Sequence, residues 1–425
     1  MAGARWPIAG ALGAAATCAL LWGCPDAHPL VVGVGGTSPT SSSSSSSGTS
    51  TTTTSSSTTG TGGSVGCSAA NLFAPGADYS AGMLLSGIAT GDMNGDGKPD
   101  LVISSAEANP PSVVVLLNKG QGTFMPYSYT TVDGPGPLAV ADLDGDGKSD
   151  VAVGTDGTEV GVALGDGDGG LGMPAYITVP NRVAGLAAAD LNADGKPDLA
   201  VANPLGTQSG GVSVLVNMGG AAFADPFPYP VPSGCVSVAV ADLDGDGKPD
   251  LAIACGPAGA TDTGHVYVLI NTGGGMFATP MEYAIGVNPS AIVAVDLTGD
   301  GKPDLAVADS GNGMVDVLIN KGTVFAAGGT YPAGAGAQSI AAADLNGDGH
   351  TDLVVSNQQP SDGGDIAAVD VLLNHGDGTF DMPLVFPMPA VTIGVVATDL
   401  NGDGKADVAV ARADGMVTVL LNGCP

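Results

Sequence analysis

Tryptophan occurs in this chain only as Trp6 and Trp22, glutamate only as Glu107, Glu159 and Glu282, and histidine only as His28, His265, His350 and His375. No Ser/His/Asp or Cys/His arrangement can be assembled from so few, widely spaced histidines. No pair of carboxylates stands out as the acid and base of a glycosidase. Sugar sites commonly stack on indole rings, and past Trp22 there are none. Basic residues number 11 against 42 acidic, a formal net charge of −31, which excludes a nucleic-acid surface. Beyond residue 24 no apolar run is long enough to span a bilayer.

What the chain does have is one phrase written seven times, D-x-[DN]-x-D-G-x-x-D, each copy followed by a short apolar run. The copies begin at Asp92, Asp142, Asp190, Asp242, Asp296, Asp344 and Asp399, at intervals of 50, 48, 52, 54, 48 and 55 residues. A period near fifty marks an array of one supersecondary unit. In the first copy Asp92, Asn94, Asp96 and Asp100 place side-chain oxygens at the first, third, fifth and ninth positions, and Lys98 offers its backbone carbonyl at the seventh. Gly97, just before it, permits the reversal that turns that carbonyl inward. Hard oxygens at this spacing, with no His or Cys among them, point to Ca²⁺ rather than zinc.

The equivalent sets are Asp142, Asp144, Asp146, Lys148 and Asp150; Asp190, Asn192, Asp194, Lys196 and Asp198; Asp242, Asp244, Asp246, Lys248 and Asp250. They continue as Asp296, Thr298, Asp300, Lys302 and Asp304; Asp344, Asn346, Asp348, His350 and Asp352; Asp399, Asn401, Asp403, Lys405 and Asp407. Two copies depart slightly: Ala193 replaces the usual Gly at the fourth position, and Thr298 replaces Asp or Asn at the third. The loop lacks the bidentate Glu and flanking helices of an EF-hand, so it reads as a clasped β-hairpin with a Kd of roughly 10⁻⁴ to 10⁻³ M. Up to seven calcium ions are expected, with folding dependent on them. Seven near-identical loops read as folding staples rather than as one active centre. They also absorb 23 of the 42 acidic residues, so most of the charge needs no cationic partner.

The start, residues 1–24, has a short basic stretch and an apolar core ending Leu21, Trp22, Gly23, Cys24. It reads as a signal peptide, and its L-x-G-C ending resembles a bacterial lipobox, which implies lipidation at Cys24 and export to the cell envelope or surface. Membrane association would then be through that anchor only. Residues 25–66, dominated by Ser, Thr and Gly, read as a disordered tether. Residues 67–425 form the repeat domain.

Within repeat four, VSVAVADL, DLAIA, HVYVLIN and FATPMEYAI read as four strands separated by turns. Four antiparallel strands per fifty residues make a propeller blade, so the expectation is an all-β, seven-bladed β-propeller. LLNHGDGTF and DLNGDGHTDLVVS are similar to FG-GAP/VCBS repeats, the blade units of integrin alpha propellers. That resemblance covers residues 67–425 and implies a calcium-binding propeller, without implying integrin function.

The last repeat stops at MVTVLLNGCP, one strand short, and the missing strand stands at the front as NLFAPGADYSAG. A Phe follows the strand-ending Asn by six residues in complete repeats, as Asn118 to Phe124. Counting six back from Phe73 reaches Cys67, and Cys424 lies two beyond Asn422, so these thiols are expected to pair where the ring closes. Cys235 and Cys255 stand symmetrically about a hairpin near Gly245 and are expected to pair across it. Tyr127, Tyr129 and Tyr229, on fourth strands, are expected to pack between blades.

Strand alternation puts the seven Asp-rich loops on one rim and the unequal loops between second and third strands on the other, where a ligand-specific surface would be built. The function expected is a monomeric, non-enzymatic recognition or adhesion module taking a protein or glycan on that second rim. A lectin or polysaccharide-active enzyme on the same propeller is the alternative, and a purely structural envelope protein a third.

Overall fold

The computed structural model describes residues 67–69, 71–106, 110–204, 211–231, 234–257, 263–322, 324–359 and 367–424. Segments 1–24, with Cys24, and 25–66 lie outside these residues, as do Glu107 and the middles of loops 203–211, 256–264 and 358–367.

Each fifty-residue unit folds into a four-stranded antiparallel sheet paired in the order first, second, third, fourth. The first strands are Leu85–Gly91, Pro135–Ala141, Gly185–Ala189, Cys235–Ala241, Pro289–Val295, Ser339–Ala343 and Thr392–Thr398. Each second strand opens on the ninth-position Asp of its loop, from Asp100–Ser105 in blade one to Asp407–Arg412 in blade seven. The first strand of every blade touches that of the next, and Thr392–Thr398 touches Leu85–Gly91, so seven blades close into a ring. Among the described residues there is no helix.

Burial follows from this ring. Inner strands are covered on both faces and read as continuous apolar runs, such as the fully buried Val-Leu run of Ser112–Asn118. First strands carry small Ala and Val where the blades crowd towards the axis. Outer strands alternate and are mostly exposed, as in Ala77–Ser80 and Ala175–Thr178. Each core cluster joins one blade to its neighbour: Val102, Val113 and Val115 of blade one pack with Leu138, Val151 and Val153 of blade two.

Closure is made by the N-terminal strand. Ala77–Ser80 pairs with Met416–Leu420 in the register Ala77↔Val419 to Ser80↔Met416, and Phe73 bridges to Asn422. Cys67 and Cys424 are joined by a disulfide with Cα atoms 5.6 Å apart, and Cys235 and Cys255 by another at the head of blade four. Arg412, 2% exposed, adds a buried latch: its guanidinium holds Asp78 of the incoming strand at 2.7 Å and Asp414 at 2.8 Å.

Two belts run between blades on the side of the Asp-rich loops. The first is aromatic, with edge-on pairs Tyr79–Phe124, Tyr229–Phe277, Tyr283–Phe325, Tyr331–Phe380 and Phe386–Phe73, each linking one blade's outer strand to the next blade's hairpin. Tyr229 thus packs between blades, whereas Tyr127 is half exposed. The second belt uses the Asn that ends each third strand. The Asn118 amide donates to Pro99 O in its own blade and to Leu400 O, in the Asp-rich loop of blade seven, while its Oδ1 accepts from Gly120 N.

Asn217, Asn271, Asn320, Asn374 and Asn422 repeat the link to the preceding blade, reaching Leu143, Leu191, Leu243, Leu297 and Leu345. Blade two breaks the pattern. Gly165 occupies the Asn place, and a β-carbon there would meet the Ser149 carbonyl at 2.1 Å. The Asn amide uses both of its donors and its oxygen in one junction, a combination that no shorter or acceptor-only side chain reproduces. Asn320→Ala removes two donors and one acceptor at a buried junction and is expected to cost about 2 to 4 kcal/mol. Asn320→Asp, which cannot donate, should fare no better; thermal unfolding of both variants in calcium checks this.

Candidate metal centres

The loop between first and second strands has one architecture seven times over. The first Asp caps it from inside: Gly97 N donates to Asp92 Oδ2 at 2.8 Å, and the corresponding Gly donates at 2.7 to 2.9 Å in the other six. Backbone amides pointing inward bend the chain around a common centre. That bend needs left-handed backbone at the fourth and sixth positions, met by Gly95 (φ 69°) and Gly97 (φ 78°) in blade one. Ala193 adopts the same conformation (φ 63°) without glycine's freedom, so the geometry is imposed even where the residue resists it.

Side-chain oxygens converge on this centre. The carboxylates of Asp142, Asp144 and Asp146, and those of Asp242, Asp244 and Asp250, offer atoms within 4.8 Å of one another. In blade five the hydroxyl of Thr298, at the third position, is buried without a hydrogen-bond partner. An orphaned oxygen there, beside oxygen-only donors, fits a hard cation better than any softer metal.

The ninth-position Asp does more than the spacing expresses. Asp100 is fully buried, its Oδ2 accepting from Met93 N at 2.9 Å and its Oδ1 from Asn118 N at 2.7 Å. It thereby pins the loop to the third strand, and Asp150, Asp198, Asp250, Asp304, Asp352 and Asp407 do the same in their blades. In Asp100, where each oxygen accepts one such bond, a second lone pair on each is left for an ion. Burial pushes the carboxyls of Asp100, Asp198, Asp250 and Asp407 up to about 6 and that of Asp352 to about 7, against the opposing pull of their backbone donors. Asp150 and Asp304 shift in the same direction.

The seventh-position lysine also has a side-chain role that spacing alone does not reveal. Lys98 Nζ lies 2.8 Å from Asp96 Oδ2, and Lys148, Lys196, Lys248 and Lys302 pair likewise with Asp146, Asp194, Asp246 and Asp300. Lys405 reaches instead to the Cys424 carbonyl. His350, in the lysine place of blade six, keeps the backbone contact, its N–H on Asp348 Oδ1 at 2.8 Å. These ammonium groups are solvent-facing, so water screens each pair and its contribution to stability is small. They partly neutralise the fifth-position carboxylates that would face a cation.

The opposite rim has no such uniformity. First and second strands are always joined by the same short loop, whereas second and third strands are joined by 156–158 and 413–415 at the short end and 203–211, 256–264 and 358–367 at the long end. His265 and Tyr267 start the third strand of blade four, both against Glu282 Oε1 at 3.2 Å.

The FG-GAP-like repeat family model matches residues 92–153, 142–201, 190–253, 258–307 and 296–355. A search of curated proteins finds no match. Among solved structures, the crystal structure of BBS1N in complex with ARL6DN, soaked with lead, is similar at a TM-score of 0.57 and 12% identity, over 84% of this chain and 98% of that one. The same complex soaked with mercury gives a TM-score of 0.58 and 14% identity, over 83% and 97%. At these identities the likeness is one of fold.

Proposed function

The chain belongs to the FG-GAP-like repeat family, and we propose that it is a calcium-stabilised, protein-binding propeller that works outside the cytoplasm. The observation that carries this reading is the contrast between rims. One rim repeats a single loop seven times at constant length, as a staple requires; the other carries seven unequal loops on a rigid ring, as a specific surface requires. A propeller of similar fold, BBS1N, is crystallised in complex with a protein partner, ARL6DN, which favours protein over glycan as the ligand here. In this reading the loops bring Ca²⁺ to the first, third, fifth and ninth positions and the seventh carbonyl, where it supplies positive charge that holds the carboxylates together. The chain's own contribution is the amide cage, the buried ninth Asp and the Asn belt. Lipidation at Cys24 would place the ring at the cell surface on the tether 25–66.

Replacing loops 256–264 and 358–367 with the short ADSGNG turn of blade five tests the surface. Partner capture from calcium-containing extracts, scored by mass spectrometry, is expected to fall at least tenfold while thermal unfolding stays unchanged. Undiminished capture would place the binding surface elsewhere.

A further inference from the structure

Near the variable rim, the end of each second strand lies beside the start of the third, and the polar side chains near that junction differ from blade to blade. Blade three has Asn203 and Ser213, hydrogen-bonded at 3.0 Å; blade seven has Arg412 and Thr418, both bound to Asp78. Blade five has two carboxylates, Asp309 and Asp316, 0% and 9% exposed.

Their hydrogen bonds leave one place unfilled. Asp309 Oδ1 accepts from Asn288 N at 3.0 Å and Gly311 N at 2.8 Å. Asp316 Oδ1 accepts from the Thr330 hydroxyl at 2.9 Å, and its Oδ2 from Gly286 N at 2.9 Å. Asp309 Oδ2 is buried with no donor. A β-carbon on Gly286 would lie 1.7 Å from that oxygen and 2.7 Å from Asp316 Oδ2, so both oxygens border the one small space a methyl group would need.

Among the described residues no lysine or arginine acts on Asp316. On the blade-four side the carboxylate of Glu282 is held by His265 and Tyr267, and on the outer strand the Tyr331 hydroxyl is engaged by the Gly328 and Gly378 carbonyls. The charge that acts on Asp316 is that of Asp309.

We propose that Asp309 and Asp316 hold one proton as a pair, shared between Asp309 Oδ2 and Asp316 Oδ2, which clasps the connection between blades four and five at Gly286. With that proton every oxygen of the pair has a donor. Two buried carboxylates so close cannot both ionise cheaply. Burial, and then the charge of Asp309, raise the Asp316 carboxyl above its ordinary range. The sign follows: the clasp is complete in acid and is lost as pH rises through the raised value, the proton leaving to water. Its route is the pocket of about 360 Å³ lined by Gly286, Asn312, Asp316, Gly329 and Thr330.

The test compares the full chain with Asp309→Asn, whose carboxamide can donate to Asp316 Oδ2 at every pH. At a fixed saturating calcium concentration, amide exchange across 284–290, corrected for its intrinsic pH dependence, is expected to speed up about tenfold in the natural chain for each pH unit above the raised value. It should stay flat in Asp309→Asn. Infrared spectra of the natural chain at the same saturating calcium supply a readout independent of that variant, with a protonated carboxyl band persisting above the ordinary carboxyl range. Equal pH slopes in both chains, absence of the band, or a slope abolished by added Mn²⁺ in the natural chain would each overturn the shared proton.

Discussion

Chelating calcium at pH 8 is expected to unfold the ring or to lower its thermal midpoint by tens of degrees. At 10 mM Ca²⁺ and a Kd of about 10⁻⁴ to 10⁻³ M, each filled loop contributes about 1.4 to 2.7 kcal/mol, and seven together rival the roughly 5 to 15 kcal/mol that stabilises a whole domain. The pH dependence carries its own sign. In the metal-free protein burial disfavours the charge of the ninth-position carboxyls, pushing those of Asp100, Asp198, Asp250, Asp352 and Asp407 up to about 6 to 7 and those of Asp150 and Asp304 above their ordinary range. Stability from such groups is fully present below about pH 4 and is lost as pH rises through 6 to 7. Chelated protein should therefore melt lower at pH 8 than at pH 5. Calcium needs the ionised form, so its stabilising effect should grow over the same interval. Differential scanning calorimetry with calcium and with chelator, at pH 5, 6, 7 and 8, measures both trends. A calcium effect that is small or independent of pH would show that the loops stand without the ion.

Removing the Cys67–Cys424 disulfide, as Cys67→Ser with Cys424→Ser, is expected to cost about 5 kcal/mol. The bond closes a loop spanning 357 residues, and constraint on the unfolded chain grows with loop length. The midpoint should drop by on the order of 10 °C. The loss should be local at first, because the incoming strand keeps its pairing with Met416–Leu420 and the Arg412–Asp78 latch. Hydrogen exchange should show residues 72–80 opening well before the inner strands of the other blades. Simultaneous opening of all seven would mean that closure is not the weak point.

Much of this architecture is legible in the chain because it repeats. Seven loops at near-equal intervals announce seven blades, and the unpaired strand beginning at Asn71 announces how the ring closes. The two cysteine pairs stand out for the same reason, by counting residues between repeats. What the sequence hides is whatever depends on a neighbour distant in the chain. Asn118 can be read as a strand end, but not as a donor to Leu400 across the ring seam. Asp100 can be read as a ligand, but not as a pin to the third strand. Lys98 offers a carbonyl by its place in the loop, while its ammonium's hold on Asp96 depends on a rotamer. Asp309 and Asp316 stand seven residues apart with nothing in the pattern to couple them. They meet because Val307 pairs with Asp316, which puts both carboxylates on one face of the blade.

The Asn belt has a consequence for how the ring comes apart. Six of its seven possible links are made, and Gly165 leaves the junction between blades one and two without one. Covalently the molecule is a closed circle with its seam in blade seven. In its Asn links alone it is a line, beginning at blade two and running through blade seven to blade one, and the open junction is bridged instead by the hydroxyls of Ser86, Ser104 and Thr130 on the carbonyls of Pro135, Gly136 and Leu171. A circle of equal units has no end from which to fray, but a line has two. Stress from ion loss or heat should therefore meet the Asn belt's two ends at that junction, where no chain terminus marks them.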